Sequence, residues 1–312
     1  MDQGTLKWKF FKSKYYMAKI KDSSKHIQFA QAAIGSRNRI WFSGEEEDLF
    51  RLLQLKTDKW SVKTPDWNIV SLTGKEKEDG DFEVIVLGSN GELLTGFPGG
   101  FEESHLDAKN KTPEKTGILR DIKIIGDVVV AVGMGPQVYF RKKGKWSNVS
   151  PEAKDKKADR GFNAVDGLRE NEIVAVGYRG AIGFYNGKVW KPIESKTTMA
   201  LNAVLCIPSG DMYVCGASGT ILKGNAKGFS PVENKVTTDN FYSLAYFRDK
   251  IYISTLTSLY VISNGKLELV KEVAGYTTGH LYAHNDIMIS TGARHILLTA
   301  DGVKWKQVFC TV

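Results

Sequence analysis

Ten arginines, at positions 37, 39, 51, 120, 141, 160, 169, 179, 248 and 294, are the residues through which this chain could grip a carboxylate or phosphate. A hydrolase built on such a grip needs cationic side chains converging on one anion, with a nucleophile, a base and an acid beside them. No two of these arginines share a recognisable motif, which leaves them as rim or solvated residues. His280 and His284 lie four apart in an extended stretch, so both point to one face, but no third ligand accompanies them and Asp286 belongs to a turn. No metal is expected. Cys206 and Cys215 flank the turn PSGD on neighbouring strands, where adjacent buried thiols fit better than a redox pair, since no CxxC is present. The Gly-rich stretches GMGP and FPGG precede no helix and so cradle no phosphate. No cofactor is expected. The acidic run EEED (45 to 48) alternates faces if it is strand, and reads as a solvated turn rather than a cation site.

Composition narrows the classes further. The chain has 312 residues, 42% hydrophobic and 11% aromatic, enough for a large core. Glycine, at 31 residues, exceeds the usual share of roughly 7%, as many tight turns would require. Net charge is +8, from 43 basic and 35 acidic residues. The lysines are scattered among acids, as in KDKKADR (154 to 160) and NKTPEK (110 to 115), which argues against nucleic acid. In the opening stretch, KWKFFKSKYYMAKIKD interrupts every apolar pair with lysine, so neither a leader nor a membrane span is expected. Three cysteines, an odd number, suit a cytoplasmic protein with free thiols and no membrane partner.

The elements that must position these residues emerge when the chain is slid against itself. MYVCGASGTILKGNAKGFSPV (212 to 232), EIVAVGYRGAIGFYNGKVWKPI (172 to 193) and VVVAVGMGPQVYFRKKGKWSNV (128 to 149) share one order: apolar strand, Gly, short turn, apolar strand, tight turn, aromatic, short strand. Seven copies follow, closing their first strand at Gly44, Gly88, Gly133, Gly177, Gly216, Thr255 and Gly292, with spacings of 44, 45, 44, 39, 39 and 37. Before each lies another apolar run: FAQAAIG, NIVSLTG, LRDIKIIG, FNAVDGL, LNAVLCI, FYSLAYF and HLYAHN. Runs of four to six residues rich in Val, Ile, Tyr and Phe, bounded by Gly and Asn turns, are strands. A four-stranded antiparallel unit of about 40 residues in tandem predicts an all-β chain, a single β-propeller of seven blades. Drift in the first two copies leaves six open. The outermost strands carry Trp60, Phe101, Trp146, Trp190, Phe229, Leu267 and Trp305. The propeller spans 28 to 312. Residues 1 to 27 fit no blade, but GTLKWKFFK (4 to 12) resembles GVKWKQVF (302 to 309), so this segment is expected to add an outer strand to the last blade and clip the ring.

TADGVKW, with Thr299, Asp301, Gly302 and Trp305, resembles an Asp-box turn, in which the aspartate takes turn amides and the tryptophan packs on the blade. The repeat rhythm resembles the photosystem II assembly-factor and sialidase-type propeller families over roughly residues 28 to 312. A sialidase likeness implies a glycosidase, but no arginine sits in a Phe-Arg-Ile-Pro sequence and one Asp-box stands clear. An assembly-factor likeness implies a scaffold of a protein complex. By size and repeat style the chain is similar to the immunity proteins encoded beside bacterial polymorphic toxins, including type VI effectors. That likeness implies one protein partner, a toxin or effector domain, and no catalysis.

A propeller presents variable loops on a rigid disc. The blade-connecting loops and the turns between second and third strands share one face, and their aromatic, arginine and acidic residues suit a protein interface. The expected contacts are Glu45, Glu46, Glu47, Trp67, Arg160, Tyr178, Arg179, Tyr276, Arg294 and His295, on a protein monomeric by itself.

Overall fold

A computed structural model describes residues 27–36, 39–76, 81–151, 161–263, 265–284 and 286–312. Seven sheets of four antiparallel strands follow one another in chain order. Blade 1 holds β1 (Gln28–Ser36), β2 (Arg39–Glu46), β3 (Leu49–Lys56) and β4 (Lys59–Lys63). Blade 2 holds β5 (Ile69–Glu76), β6 (Phe82–Gly88), β7 (Glu92–Phe97) and β8 (Gly100–His105). Blade 3 is β9 (Leu119–Ile125), β10 (Val128–Gly133), β11 (Val138–Lys142) and β12 (Lys145–Asn148). Blade 4 is β13 (Phe162–Arg169), β14 (Glu172–Gly177), β15 (Ile182–Tyr185) and β16 (Trp190–Pro192). Blade 5 is β17 (Leu201–Cys206), β18 (Met212–Gly216), β19 (Ile221–Asn225) and β20 (Gly228–Pro231). Blade 6 comprises β21 (Ser243–Phe247), β22 (Lys250–Ser254), β23 (Leu259–Ser263) and β24 (Lys266–Leu269). Blade 7 comprises β25 (Gly279–His284), β26 (Ile287–Gly292), β27 (Ile296–Thr299) and β28 (Trp305–Val308). The count is seven, not six.

The second strands are near-continuous apolar runs because both of their faces are covered by neighbouring blades. VVVAVG of β10 is buried at all six positions, as a doubly packed strand demands. The core is correspondingly divided among the interfaces. Ile125, Val130 and Phe140 of blade 3 pack with Val165 and Ile173 of blade 4, and Val174 and Phe184 of blade 4 pack with Val204 and Leu222 of blade 5. The glycines closing the second strands answer to close approach rather than to turn geometry. A Cβ on Gly177 would overlap the Gly161 carbonyl, and one on Gly216 would overlap that of Ala200, where the chain enters the inner strand of the same blade.

The inner strands leave one backbone edge toward the axis, and those amides need partners. Each blade interface supplies at least one side chain. Gln31 of β1 accepts the Leu72 N–H at 3.1 Å. Ser71 and Thr73 of β5 accept those of Ile122 and Ile124, each at 3.3 Å. Asp121 of β9 accepts Val165 N–H at 2.9 Å, and Asp166 of β13 accepts Cys206 N–H at 2.8 Å. Asn202 of β17 donates to the Phe241 carbonyl at 2.8 Å, and Ser243 of β21 accepts Leu281 N–H at 3.0 Å. His280 of β25 accepts Ala32 N–H at 3.4 Å and completes the circle.

The expected strand from residues 1 to 27 falls, up to residue 26, outside the described residues. Within them, blade 7 takes all four strands from one contiguous stretch, and so does blade 1. The seam is filled by Phe29, Phe42 and Leu53 against Ile287, Ile289 and Ile296, with Cys310 buried among them. The tail then crosses to blade 1, where Trp60 Nε1 donates to the Phe309 carbonyl at 3.1 Å.

Two expectations need correction. The connection between blades 2 and 3 contains a short helix, α1 (Thr112–Thr116), where only loop was expected; Pro113 starts it, and Asp107 takes the Thr112 hydroxyl and amide. Cys206 and Cys215 are not adjacent. Cys206 pairs with Met212 and Cys215 with Ala203, three rungs apart, so alternation sends the thiols to opposite faces of the sheet. Burial raises both thiols above the ordinary range, as it also does Cys310.

Candidate binding face

The turns between second and third strands and the blade connections do share a face, because they are hydrogen-bonded to each other. Met134 N–H reaches the Ile118 carbonyl, Gly180 N–H that of Met199, Gly219 N–H that of Asp239 and Thr278 N–H that of Leu256, at 2.8–2.9 Å. This bracing holds these four connections in register with the strands beneath them.

On blade 1, Glu45 and Glu47 are exposed, and Glu47 and Asp48 take positive φ at the hairpin turn. Glu46 pairs instead with Arg51 at 2.8 Å. A shallow recess opens beside Glu45, lined by Gln28, Phe29, Phe50, Ile69 and Ala293. Trp67 is half-buried, lying over Gly88 and packed with Trp41 and Leu72. Between blades 6 and 7, Tyr276 meets His295 edge to face at 5.0 Å. His295 Nδ1 accepts the Thr277 N–H at 2.8 Å, and burial together with neighbouring Arg294 lowers its pKa. Arg294 itself is exposed. On blade 4, Tyr178 is partly buried, while Arg179 is exposed at φ 53°. Arg160 lies outside the described residues. The structure thus gathers Tyr276, Arg294 and His295 into one cluster, and Tyr178 and Arg179 into another.

Sequence reasoning missed Arg120, whose Nη2 donates to Tyr178 Oη at 3.2 Å. Its place as the second residue of an inner strand was the available signal. Also missed was the polar set at the axis. Lys123 Nζ lies 3.9 Å from Asp166, and this carboxylate, first, raises the lysine, with Tyr282, Asp121 and Cys206 adding. Burial raises Asp121, against hydrogen bonds from Val165, Ser71 and Ile122. Burial, with Lys123 nearby, lowers His280 to about 3. Among the described residues, no group of three His, Cys, Asp or Glu is placed to hold a metal ion.

On the opposite face, Asp301 accepts Val303 and Lys304 N–H at 2.8 and 2.7 Å, and these two amides hold its carboxyl below the usual range. Thr299 Oγ1 accepts the Gly302 N–H at 2.8 Å. Gly302, at φ 75°, is pressed against Tyr252, and Trp305 packs on the same cluster. Asn186, on that face, accepts Lys188 and Val189 N–H and is part of its turn.

Fold and face define a seven-bladed β-propeller whose loops are braced on one side. No family model matches the chain. It is 30% identical over 248 residues to the immune protein Tsi7 of Pseudomonas aeruginosa, covering 78% of this chain and 80% of that one. The chain belongs to the family of that immune protein. Among solved structures, YCF48 bound to D1 peptide superposes with a TM-score of 0.68 at 16% identity, covering 88% of this chain and 92% of that one. The WD40 propeller domain of Doa1 gives 0.66 at 11% identity, covering 91% and 94%. A catalytically inactive virginiamycin B lyase from Staphylococcus aureus with quinupristin gives 0.68 at 9%, covering 92% and 97%. At these identities the structures share the fold alone. Among the described residues, no helix is long and apolar enough to cross a membrane.

Proposed function

We propose that this chain is an immunity protein that binds one cognate toxin domain through its blade-connecting face and catalyses nothing. The observation that carries the reading is its 30% identity to an immune protein over 80% of that protein's length. The braced loop face supports it, because fixed loops bind without a large ordering cost. The protein acts in the cytoplasm as a monomer, against a toxin of the type VI kind. The contacts lie among Glu45, Glu46, Glu47, Trp67, Arg160, Tyr178, Arg179, Tyr276, Arg294 and His295. The turn from Thr299 to Trp305 is an Asp-box with an architectural role.

The test is co-expression with the toxin encoded beside the gene. Cells should survive with the wild-type chain and die without it, and the two purified proteins should form a complex. Protection without any complex would point to enzymatic detoxification and overturn the binding reading.

A further inference from the structure

Arg120 belongs neither to the axial cluster nor to the side chains that bond inner-strand backbone; it reaches from blade 3 to the Tyr178 hydroxyl of blade 4. Four described arginines hold a carboxylate: Arg51 with Glu46, Arg141 with Glu83, Arg169 with Glu172 and Arg248 with Asp286. Arg39 lies over the Phe82 ring at 4.5 Å. Among the described residues, Arg120, Arg179 and Arg294 show no ion pair or ring contact, and all three belong to the blade-connecting face. Arg120 stands apart from the other two because it is partly buried, and its Nε is shielded from solvent with no hydrogen-bond partner among the described residues. A guanidinium nitrogen withdrawn from water without a partner is costly, and a carboxylate meeting the rest of this guanidinium would offset that cost through charge-assisted hydrogen bonds.

Its surroundings fit such a visitor. Tyr178 Oη accepts from Nη2 and fixes the plane of the guanidinium. Arg179 follows on the same turn, exposed, in a left-handed conformation that glycine would adopt more easily. Ile118, two residues before Arg120, is 39% exposed, and Met199, whose carbonyl holds Gly180, is 42% exposed. Two exposed apolar side chains thus lie on the connections that enter blades 3 and 5, on the face that carries Arg120 and the Tyr178 turn.

We propose that Arg120 is the anchor for a side-chain carboxylate, an Asp or Glu on a surface loop of the protein partner. Tyr178 orients the anchor, Arg179 adds charge at its edge, and Ile118 and Met199 cover the flanks of the loop. The assignment rests on the immunity reading and names the chemistry of its partner. Arg120 is at once charged, partly buried and held by Tyr178, the combination that concentrates interface energy.

The probe is the polypeptide encoded beside this chain's gene, catalytically inactivated and purified, with its Kd measured by calorimetry. Arg120→Gln should weaken binding by roughly thirtyfold or more, and Arg120→Lys should restore only part of it because a lysine cannot form the fork. One Asp or Glu of the probe, changed to Asn or Gln, should show a loss that is not additive with Arg120→Gln. Binding by a folded Arg120→Gln chain within twofold of the wild type overturns the proposal and leaves the immunity reading intact. If Arg120→Gln does not fold, Tyr178→Phe replaces it: a several-fold loss supports the anchor, and unchanged affinity overturns it. A wild-type chain that does not bind the polypeptide at all overturns the immunity reading and this proposal with it.

Discussion

Nδ1 of His280 accepts the backbone N–H of Ala32 at 3.4 Å, across the seam where the last blade meets the first. The bond requires a neutral ring nitrogen. The surroundings keep it neutral, since burial and the charge of Lys123 lower the imidazole to about 3.

A pH dependence follows. The folded value lies below the ordinary 6.5, so an unfolded chain gains this proton before the folded one does. The stability tied to His280 is complete above about 6.5 and is lost as pH falls toward 3. Thermal melts should show a drop in Tm across that window, shallower in His280→Asn, which can still accept from Ala32. Parallel curves for the two proteins would contradict this.

Lys123 balances two carboxylates at the axis, Asp166 and Asp121. Lys123→Met should lower stability at neutral pH by about 1–2 kcal/mol, less than for a sealed ion pair because the side chain is 40% exposed. Asp166→Asn in the same background should recover part of the loss in urea melts.

The turn at 299 to 305 is expected to serve stability alone. Trp305 is only partly buried, so Trp305→Ala should cost about 2–3 kcal/mol, below the roughly 3–5 of a fully buried ring. Asp301→Ala should cost about 1 kcal/mol through the amides of Val303 and Lys304. Affinity of the folded fraction for the partner should not change in either variant.

Arg179→Glu reverses an exposed charge within the proposed contact surface. Binding should weaken by about 2 kcal/mol or more, whereas Lys227→Glu on the opposite face should change it by only a few tenths. Surface plasmon resonance on both variants decides the orientation of the disc. The reverse pattern would place the interface on the other face.

How much of this was legible in the sequence depended on range. The hairpin turns, the outer-strand aromatics such as Trp190 and the closing glycines are local signals, and they carried the blade count within one. The reason for Gly177 was not local, since the atom it must avoid belongs to Gly161, sixteen residues away. Cys206 and Cys215 read as neighbours because the turn between them is symmetric in sequence; the register is not. The partners of Ser71, Asp121 and Asp166 sit in the next blade, so a single polar residue within an apolar run was visible while its role was not. For the face, types and turns were readable, but exposure was not: Trp67 is packed over Gly88, and Arg120, grouped with the rim or solvated arginines, is partly buried against Tyr178 of the next blade.

The side chains that accept inner-strand amides reach forward, from one blade to its successor, and His280 continues the same sense back to the first. Each blade thus carries one adhesive side and one receptive side, like tiles with a tongue and a groove. A ring made of such tiles has no privileged starting blade, and duplication or loss of one would alter its circumference without altering its rule of assembly. For a lineage under pressure to change what it recognises, the scaffold permits new loops, and even new blades, while every joint stays the same.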